Sequence, residues 1–293
     1  MTTLSSSGVA PEIKTMRMCF YGAGSMAEAI VRGLLDRGLT EPGQIGMMNR
    51  QNAERMNELS TRYGIVGALT DADKVSMLRE ADIVFLAMKP KDAAEAIRGV
   101  RELLHPGQLI VSLIAGMTIT TLETLLGKPM PIARTMPNTS STIGLGATGI
   151  SFSASVSDGQ RQLADTLFQA VGLTAIVEEP MLEVVTGISG SGPAYFYYMM
   201  EAMIAAGTKL GLSTDAAREL TLQTVLGAAH MVKATGEDPA ELRRKVTSPN
   251  GATQAAIEKF DEYKFTEAVL SAVTRCAERA MEMGAEIERN AKS

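Results

Sequence analysis

The sequence predicts an α/β half built on a doubly wound, mainly parallel sheet, followed by an all-α half. Three observations predict this order. Short apolar runs alternate with amphipathic helical segments as far as residue 178. Beyond Glu178-Glu179-Pro180 only helical patterns with start and stop signals remain. The first apolar run, residues 18–21, leads through a glycine turn directly into a helix start. A chain of 293 residues is long enough for two such domains.

Taken in order, residues 18–21 are a strand and a helix follows to residue 35, with Gly38 and Pro42-Gly43 breaking the chain after it. A second strand is expected over 44–48, then a polar helix over 52–63 stopped by Gly64. A short strand at 65–68 and a short helix at 71–80 precede the run 83–88. That run is continuously apolar between Asp82 and Lys89-Pro90, as befits a strand covered on both faces. The pattern continues with a helix at 91–104, a strand at 109–113, a helix at 118–126 and a strand at 131–134. A strand at 147–152, a helix at 157–171 and a last strand at 173–177 close the α/β half. In the helical half, Ser189-Gly190-Ser191-Gly192-Pro193 opens a helix with Pro at its first position. That helix, 194–210, is apolar almost all round and carries one Glu and one Lys, so it needs cover on every face; a second subunit is the simplest cover. Another helix runs from Ser213 to Gly236. Asp238-Pro239-Ala240-Glu241 supplies an N-cap, a first-turn Pro and a reciprocal Glu, and a last helix follows Thr266. The expected domains are a flexible extension over 1–16, a nucleotide-binding domain over 17–178 and a helical dimerisation and substrate domain over 179–293.

Composition narrows the function. Net charge is −5, with no dense basic cluster, which argues against nucleic acid or an anionic membrane as partner. No apolar run approaches the ~20 residues of a membrane span. Cys19 and Cys276 are the only cysteines, too few for a disulfide framework, and a reducing cytoplasm is the natural reading. His105 and His230 lie far apart, and no Cys/His group has metal spacing, so no metal is expected.

The candidate site residues fall at strand tips and helix starts. Gly22 permits the first turn, Gly24 lets backbone approach a ligand, and Ala27 keeps helix against strand; with Ala23, Ser25 and Met26 they form G-x-G-x-x-A. The helix start offers free N–H groups and the positive end of its dipole to a pyrophosphate. Taken alone, this pattern divides evenly between dinucleotide binding and a plain turn. Asn49 and Arg50 follow the second strand, where an acidic residue would hold a ribose 2′-hydroxyl. An Arg there suits a 2′-phosphate instead and favours NADP(H), a solvated loop Arg being the alternative. Ala87, Met88, Lys89 and Pro90 end the next strand at the same edge, as do Ala115 and Gly116 one strand further. Asn138, after Arg134-Thr135-Met136-Pro137, is placed to reach a nicotinamide. In the helical half, the loop 246–253 combines hydroxyls, Gly and a helix start. It reads as an anion cup for a small carboxylate or as an elaborate helix cap.

Three motifs bring these together. The stretch 242–261, LRRKVTSPNGATQAAIEKFD, resembles the signature of the pyrroline-5-carboxylate reductases; residues 189–195, SGSGPAY, and 134–139, RTMPNT, resemble two further elements of that family. The likeness runs from about Arg17 to the last helix. It implies NADPH-dependent reduction of 1-pyrroline-5-carboxylate to L-proline, with NADH use left open. It also implies a homodimer, with a decamer as the larger assembly it allows. The carboxylate of the substrate would be held by the backbone N–H groups of Gly251, Ala252 and Thr253 with Ser248 beside them, and the Thr253 hydroxyl would meet the ring nitrogen. Departures are Asn250 where the family commonly has Gly, Lys245 where it often has Asp or Asn, and Ser140 for a frequent Pro. Two other readings stand beside it: a related NADP-dependent imine or 3-hydroxyacid reductase, and a non-catalytic NADP-binding regulator.

Overall fold

The computed structural model describes residues 13–50 and 52–292. Most of the expected N-terminal extension, residues 1–12, lies outside them. Ile13 is fully buried and Met16 packs on the same core, so the folded part starts before Arg17.

An eight-stranded sheet carries the N-terminal half. Its strands are β1 (Met18–Tyr21), β2 (Ile45–Met48), β3 (Val66–Gly67), β4 (Ile83–Leu86), β5 (Leu109–Ser112), β6 (Ile132–Met136), β7 (Gly146–Phe152) and β8 (Gly172–Ile176). They lie in the order β3-β2-β1-β4-β5-β6-β7-β8, and every pair is parallel except β6–β7. The helices are α1 (Ser25–Asp36), α2 (Ala53–Tyr63), α3 (Asp71–Glu80), α4 (Pro90–Val100), α5 (Ile119–Leu126) and α6 (Asp158–Gln169). Successive strand residues point to opposite faces, so each continuous apolar run feeds two cores. Phe20 and Phe85 stack at 4.1 Å on the face covered by α1, α2 and α6. Cys19 and Val84 join Ile97, Leu122 and Ile287 on the other.

Local signals set the ends of these helices. Asn52 caps α2 through Arg55 N–H and left-handed Gly64 ends it; Thr70 with Asp73, and Ser157 with Gln160, close reciprocal capping boxes. Where the expectation missed, long-range bonding is the cause. β6 runs on to Met136 because Thr135 and Met136 pair with Ile150 and Gly149 of β7. The strand expected at 83–88 stops at Leu86, since α4 starts at Pro90, and α4 itself ends at Val100 rather than 104.

Beyond β8 no strand occurs among the described residues. A 3₁₀ turn (Glu179–Met181), α7 (Leu182–Val185) and a π-helical turn (Thr186–Gly190) form a helical stretch that the sequence pattern did not reveal. The chain divides into two compact units: residues up to Ser191 together with those from Cys276 onward, and Gly192–Arg275. The turns at 179–190 thus belong with the sheet, because Leu182 and Val185 pack on Gly149. The second unit holds α8 (Gly192–Lys209), α9 (Thr214–Thr235), α10 (Pro239–Lys245) and α11 (Ala252–Glu262); α12 (Phe265–Lys292) begins there and ends in the first. Asp238 caps α10 through Ala240 N–H, but Glu241 pairs with Arg244 rather than reciprocating. The apolar helix α8 leaves Phe196, Tyr197 and Tyr198 exposed in the single chain. No helix among the described residues is long and apolar enough to cross a membrane.

Candidate functional site

The parallel register aligns three strand tips. Tyr21 lies beside Leu86, and Leu86 beside Ser112, so β1, β4 and β5 all release the chain at one edge of the sheet. The strand order reverses between β1 and β4, where open α/β sheets form their ligand crevice. A groove of about 570 Å³ opens at that point. Its floor is Tyr21 and the turn Gly22-Ala23-Gly24; Asn49 and Arg50 form one wall, Ala87, Met88 and Lys89 the tip beside it, and α4 the other wall.

Gly22 is obligatory here. Its φ is 120°, and a Cβ would lie 2.4 Å from the carbonyl oxygen of Ala87. A Cβ at Gly24 would meet nothing within 4 Å, so that residue borders open space. Gly24 starts α1 without any side-chain cap, and the first helical bond is from Glu28 N–H to Gly24 O. The N–H groups of Ser25, Met26 and Ala27 therefore have no helical acceptor and present an anion site. Behind the turn, Arg55 donates to the Ala23 carbonyl at 3.4 Å and to Glu28, which also accepts from Arg62 and from the Tyr63 hydroxyl, each at 2.8 Å. Burial alone would raise the Glu28 pKa; bonds from Arg55, Tyr63 and Arg62 outweigh it and lower the net value. Sequence reasoning missed this cluster, because its members are separated by long stretches of chain.

The other predicted residues divide. Asn49 bonds Asn52 through both ends of its amide, at 2.9 and 2.8 Å, which fixes the loop that carries Arg50 on the groove wall; Lys89 and Lys91 are further cations lining the groove. Pro90 is the first residue of α4, and Ala115 is half-buried. Gly116, with φ 77°, meets the last helix: a Cβ on Gly284 would lie 2.7 Å from its carbonyl oxygen. Its smallness thus serves helix packing. Asn138 is only 8% exposed, donates to Ser189 O at 3.0 Å and accepts from Ala147 N–H at 3.2 Å. Asn138 thereby orders its own turn. Arg134 is likewise internal, paired with Glu179 at 3.0 Å and Glu183 at 2.7 Å.

The second predicted site lies in the Gly192–Arg275 unit. Asn250 adopts φ 59°, the left-handed conformation that Asn tolerates, so the loop keeps its turn without a second Gly. Gly251 N–H donates to Ser248 O at 3.0 Å, which folds Ser248 back over the start of α11. Gly251 is the N-cap, with no side chain capping the helix, and the first helical bond runs from Ala255 to Gly251. Ala252 and Thr253 stand in that uncapped first turn, both exposed. Gln254 bonds the Asn250 N–H at 2.8 Å and stiffens the loop from below. Lys245 is held by Glu237. Among the described residues no group of three or more His, Cys, Asp or Glu is placed to hold a metal ion.

Known proteins match this arrangement. Residues 179–283 match the family described as pyrroline-5-carboxylate reductase dimerisation, and residues 17–116 that described as NADP oxidoreductase, coenzyme F420-dependent. A pyrroline-5-carboxylate reductase from Bacillus subtilis is 40% identical over 281 residues, covering 96% of this chain and 94% of that protein. A pyrroline-5-carboxylate reductase from Coxiella burnetii superposes with a TM-score of 0.86 at 36% identity, over 92% of this chain and 99% of that one. The Plasmodium falciparum pyrroline carboxylate reductase, solved with NADP bound, gives 0.82 at 26%, over 93% and 99%.

Proposed function

The chain belongs to the pyrroline-5-carboxylate reductase family, and from that premise we propose that it reduces 1-pyrroline-5-carboxylate to L-proline with NADPH. The observation that carries this reading is the uncapped start of α11. There the N–H groups of Ala252 and Thr253 have no helical acceptor, and with the Gly251 N–H holding the Ser248 carbonyl beside them they form a cup suited to one carboxylate. Neither a 3-hydroxyacid reductase nor a regulator has use for that loop.

The groove at the β1–β4 switch fits the cofactor: the uncapped N–H groups of Ser25 and Met26 suit its pyrophosphate, and Arg50 suits a 2′-phosphate. When bound, NADPH supplies the hydride that reduces C5 of the cyclic imine. The protein's own part is positional and electrostatic. The α11 cup fixes the substrate carboxylate, which orients the ring, and holding the ring in a reactive orientation replaces an entropic cost otherwise met at the barrier. The Thr253 hydroxyl hydrogen-bonds the ring nitrogen, which must gain a proton as C5 is reduced. Threonine is a weak acid, so its contribution is orientation of the protonated imine, with water as the final donor.

We further propose a homodimer through the second unit. The exposed Phe196, Tyr197 and Tyr198 of α8 support it, and a decamer remains the larger assembly of the proposal. Free Cys19 and Cys276 support a reducing cytoplasmic setting. The deciding experiment follows NADPH oxidation by absorbance with synthetic pyrroline-5-carboxylate and with a panel of 3-oxo acids, and NADP reduction with the corresponding 3-hydroxy acids. Turnover confined to the imine supports the proposal; turnover of the acids alone, or of nothing, overturns it.

A further inference from the structure

Across the groove a cation on one wall faces a carboxylate on the other, with Lys89 and Lys91 lining the groove as well. Arg50 stands on the β2 side; on α4, Asp92, Glu95, Ala96 and Gly99 recur at helical spacing and turn one stripe towards it. Arg50 Nη2 and Glu95 Oε1 are 3.9 Å apart across the opening, with side chains 70% and 81% exposed. Tyr21, on the floor between them, senses both: burial raises its hydroxyl pKa most, Arg50 pulls it back, and Cys19 and Glu95 push it up. Ala96 and Gly99 keep the rest of the α4 wall low, and a Cβ on Gly99 would touch nothing. Lys91, Asp92 and Glu95 are the charged residues of that wall, and Glu95 is the one paired with Arg50.

We propose that Glu95 is a specificity-determining residue of the groove, which limits its preference for a 2′-phosphorylated cofactor by competing for the Arg50 guanidinium from the opposite wall. The proposal rests on the reading of Arg50 as the 2′-phosphate contact. A phosphate arriving at Arg50 must displace Glu95 and then sit beside its negative charge. A ribose 2′-hydroxyl meets no such repulsion and can donate a hydrogen bond to the same carboxylate. Arg50 therefore rewards the phosphorylated ligand and Glu95 penalises it, and the cofactor ratio is the difference between the two. Because both side chains are solvated, the effect is modest and falls with ionic strength.

The test measures equilibrium binding by calorimetry to the full chain, with adenosine 2′,5′-bisphosphate and with 5′-AMP as probes, for wild type, Glu95→Gln, Arg50→Met and the double variant. The NADPH to NADH ratio of kcat/KM is recorded alongside. Glu95→Gln is expected to tighten the bisphosphate roughly three- to fivefold at low salt. It should leave 5′-AMP within about twofold, and the gain should vanish in the Arg50→Met background. If Glu95→Gln tightens both probes equally, or neither, while Arg50→Met weakens the bisphosphate, Glu95 has no such role and the Arg50 reading stands. A gain that persists without Arg50 contradicts competition. If Arg50→Met leaves bisphosphate binding unchanged, the Arg50 reading itself fails, and this inference with it.

Discussion

The Arg134 guanidinium and the Glu183 carboxylate form an ion pair of 2.7 Å with side chains only 5% and 10% exposed. Glu179, 3.0 Å from the same guanidinium, also accepts the Ile119 N–H at 2.7 Å. A charge so far from water is tolerated only while its partners stay in place. The pair fastens the helical turns after β8 to β6. Arg134→Met should therefore destabilise the protein by about 3–5 kcal/mol, since it strands the buried Glu183. Denaturant unfolding checks this. Arg134→Met with Glu183→Leu should recover part of the loss, and a single variant as stable as wild type would show that the pair is dispensable.

Gly22→Ala should impair both folding and cofactor binding. The new Cβ lies 2.4 Å from Ala87 O at a φ of 120°, so both overpacking and backbone strain oppose it. Each costs about 1–3 kcal/mol. Thermal unfolding and NADP titration are the measurements, and Gly24→Ala is the control. A Cβ at Gly24 touches no protein atom, so that variant should melt like wild type and lose affinity only for the cofactor.

These cases show what was legible in the sequence. The β1–turn–α1 unit could be read because its residues act on their chain neighbours, and glycine is demanded by a local φ. The 248–253 loop could be read for the same reason, since Ser248, Asn250 and Gly251 fold on one another. Arg134 could not be read, because Glu183 is 49 positions away. Its burial is set by Glu179 and Glu183 in the turns after β8, which meet it only in the fold. The partners of Asn138, Ser189 and Ala147, were not legible either, since they are set by the π-helical turn and by the start of β7. Glu28 gave no signal in the sequence, because Arg55 and Arg62 meet it only once α2 packs against α1.

Stability should depend on pH through Glu28. Its pKa is lowered in the folded state, so its contribution is fully present above the ordinary glutamate value and is lost as pH falls through the lowered one. Wild type should exceed Glu28→Gln in melting temperature at pH ~7, and the gap should narrow as pH falls below the ordinary glutamate value and close only below the lowered one. A gap that stays constant down to the acid limit would show that the bonds from Arg55, Arg62 and Tyr63 do not discriminate the ionised form.

Cys19 should be chemically silent in the native protein. Burial in β1 pushes its thiol up to about 12, so almost no thiolate exists at neutral pH. Alkylation followed by peptide mass spectrometry should modify Cys19 only after unfolding. Fast native labelling of Cys19 would mean that the lower core opens on the experimental timescale.

The central claim is that the start of α11 holds the imine and that Thr253 serves its ring nitrogen. Steady-state kinetics of Thr253→Ala test it most directly, with NADP affinity and melting temperature measured on the same preparation. The account predicts a fall in kcat/KM for pyrroline-5-carboxylate of ~10²-fold, within the range for one acid–base group, while cofactor affinity and melting stay at wild-type values. Turnover close to wild type in that variant would contradict it.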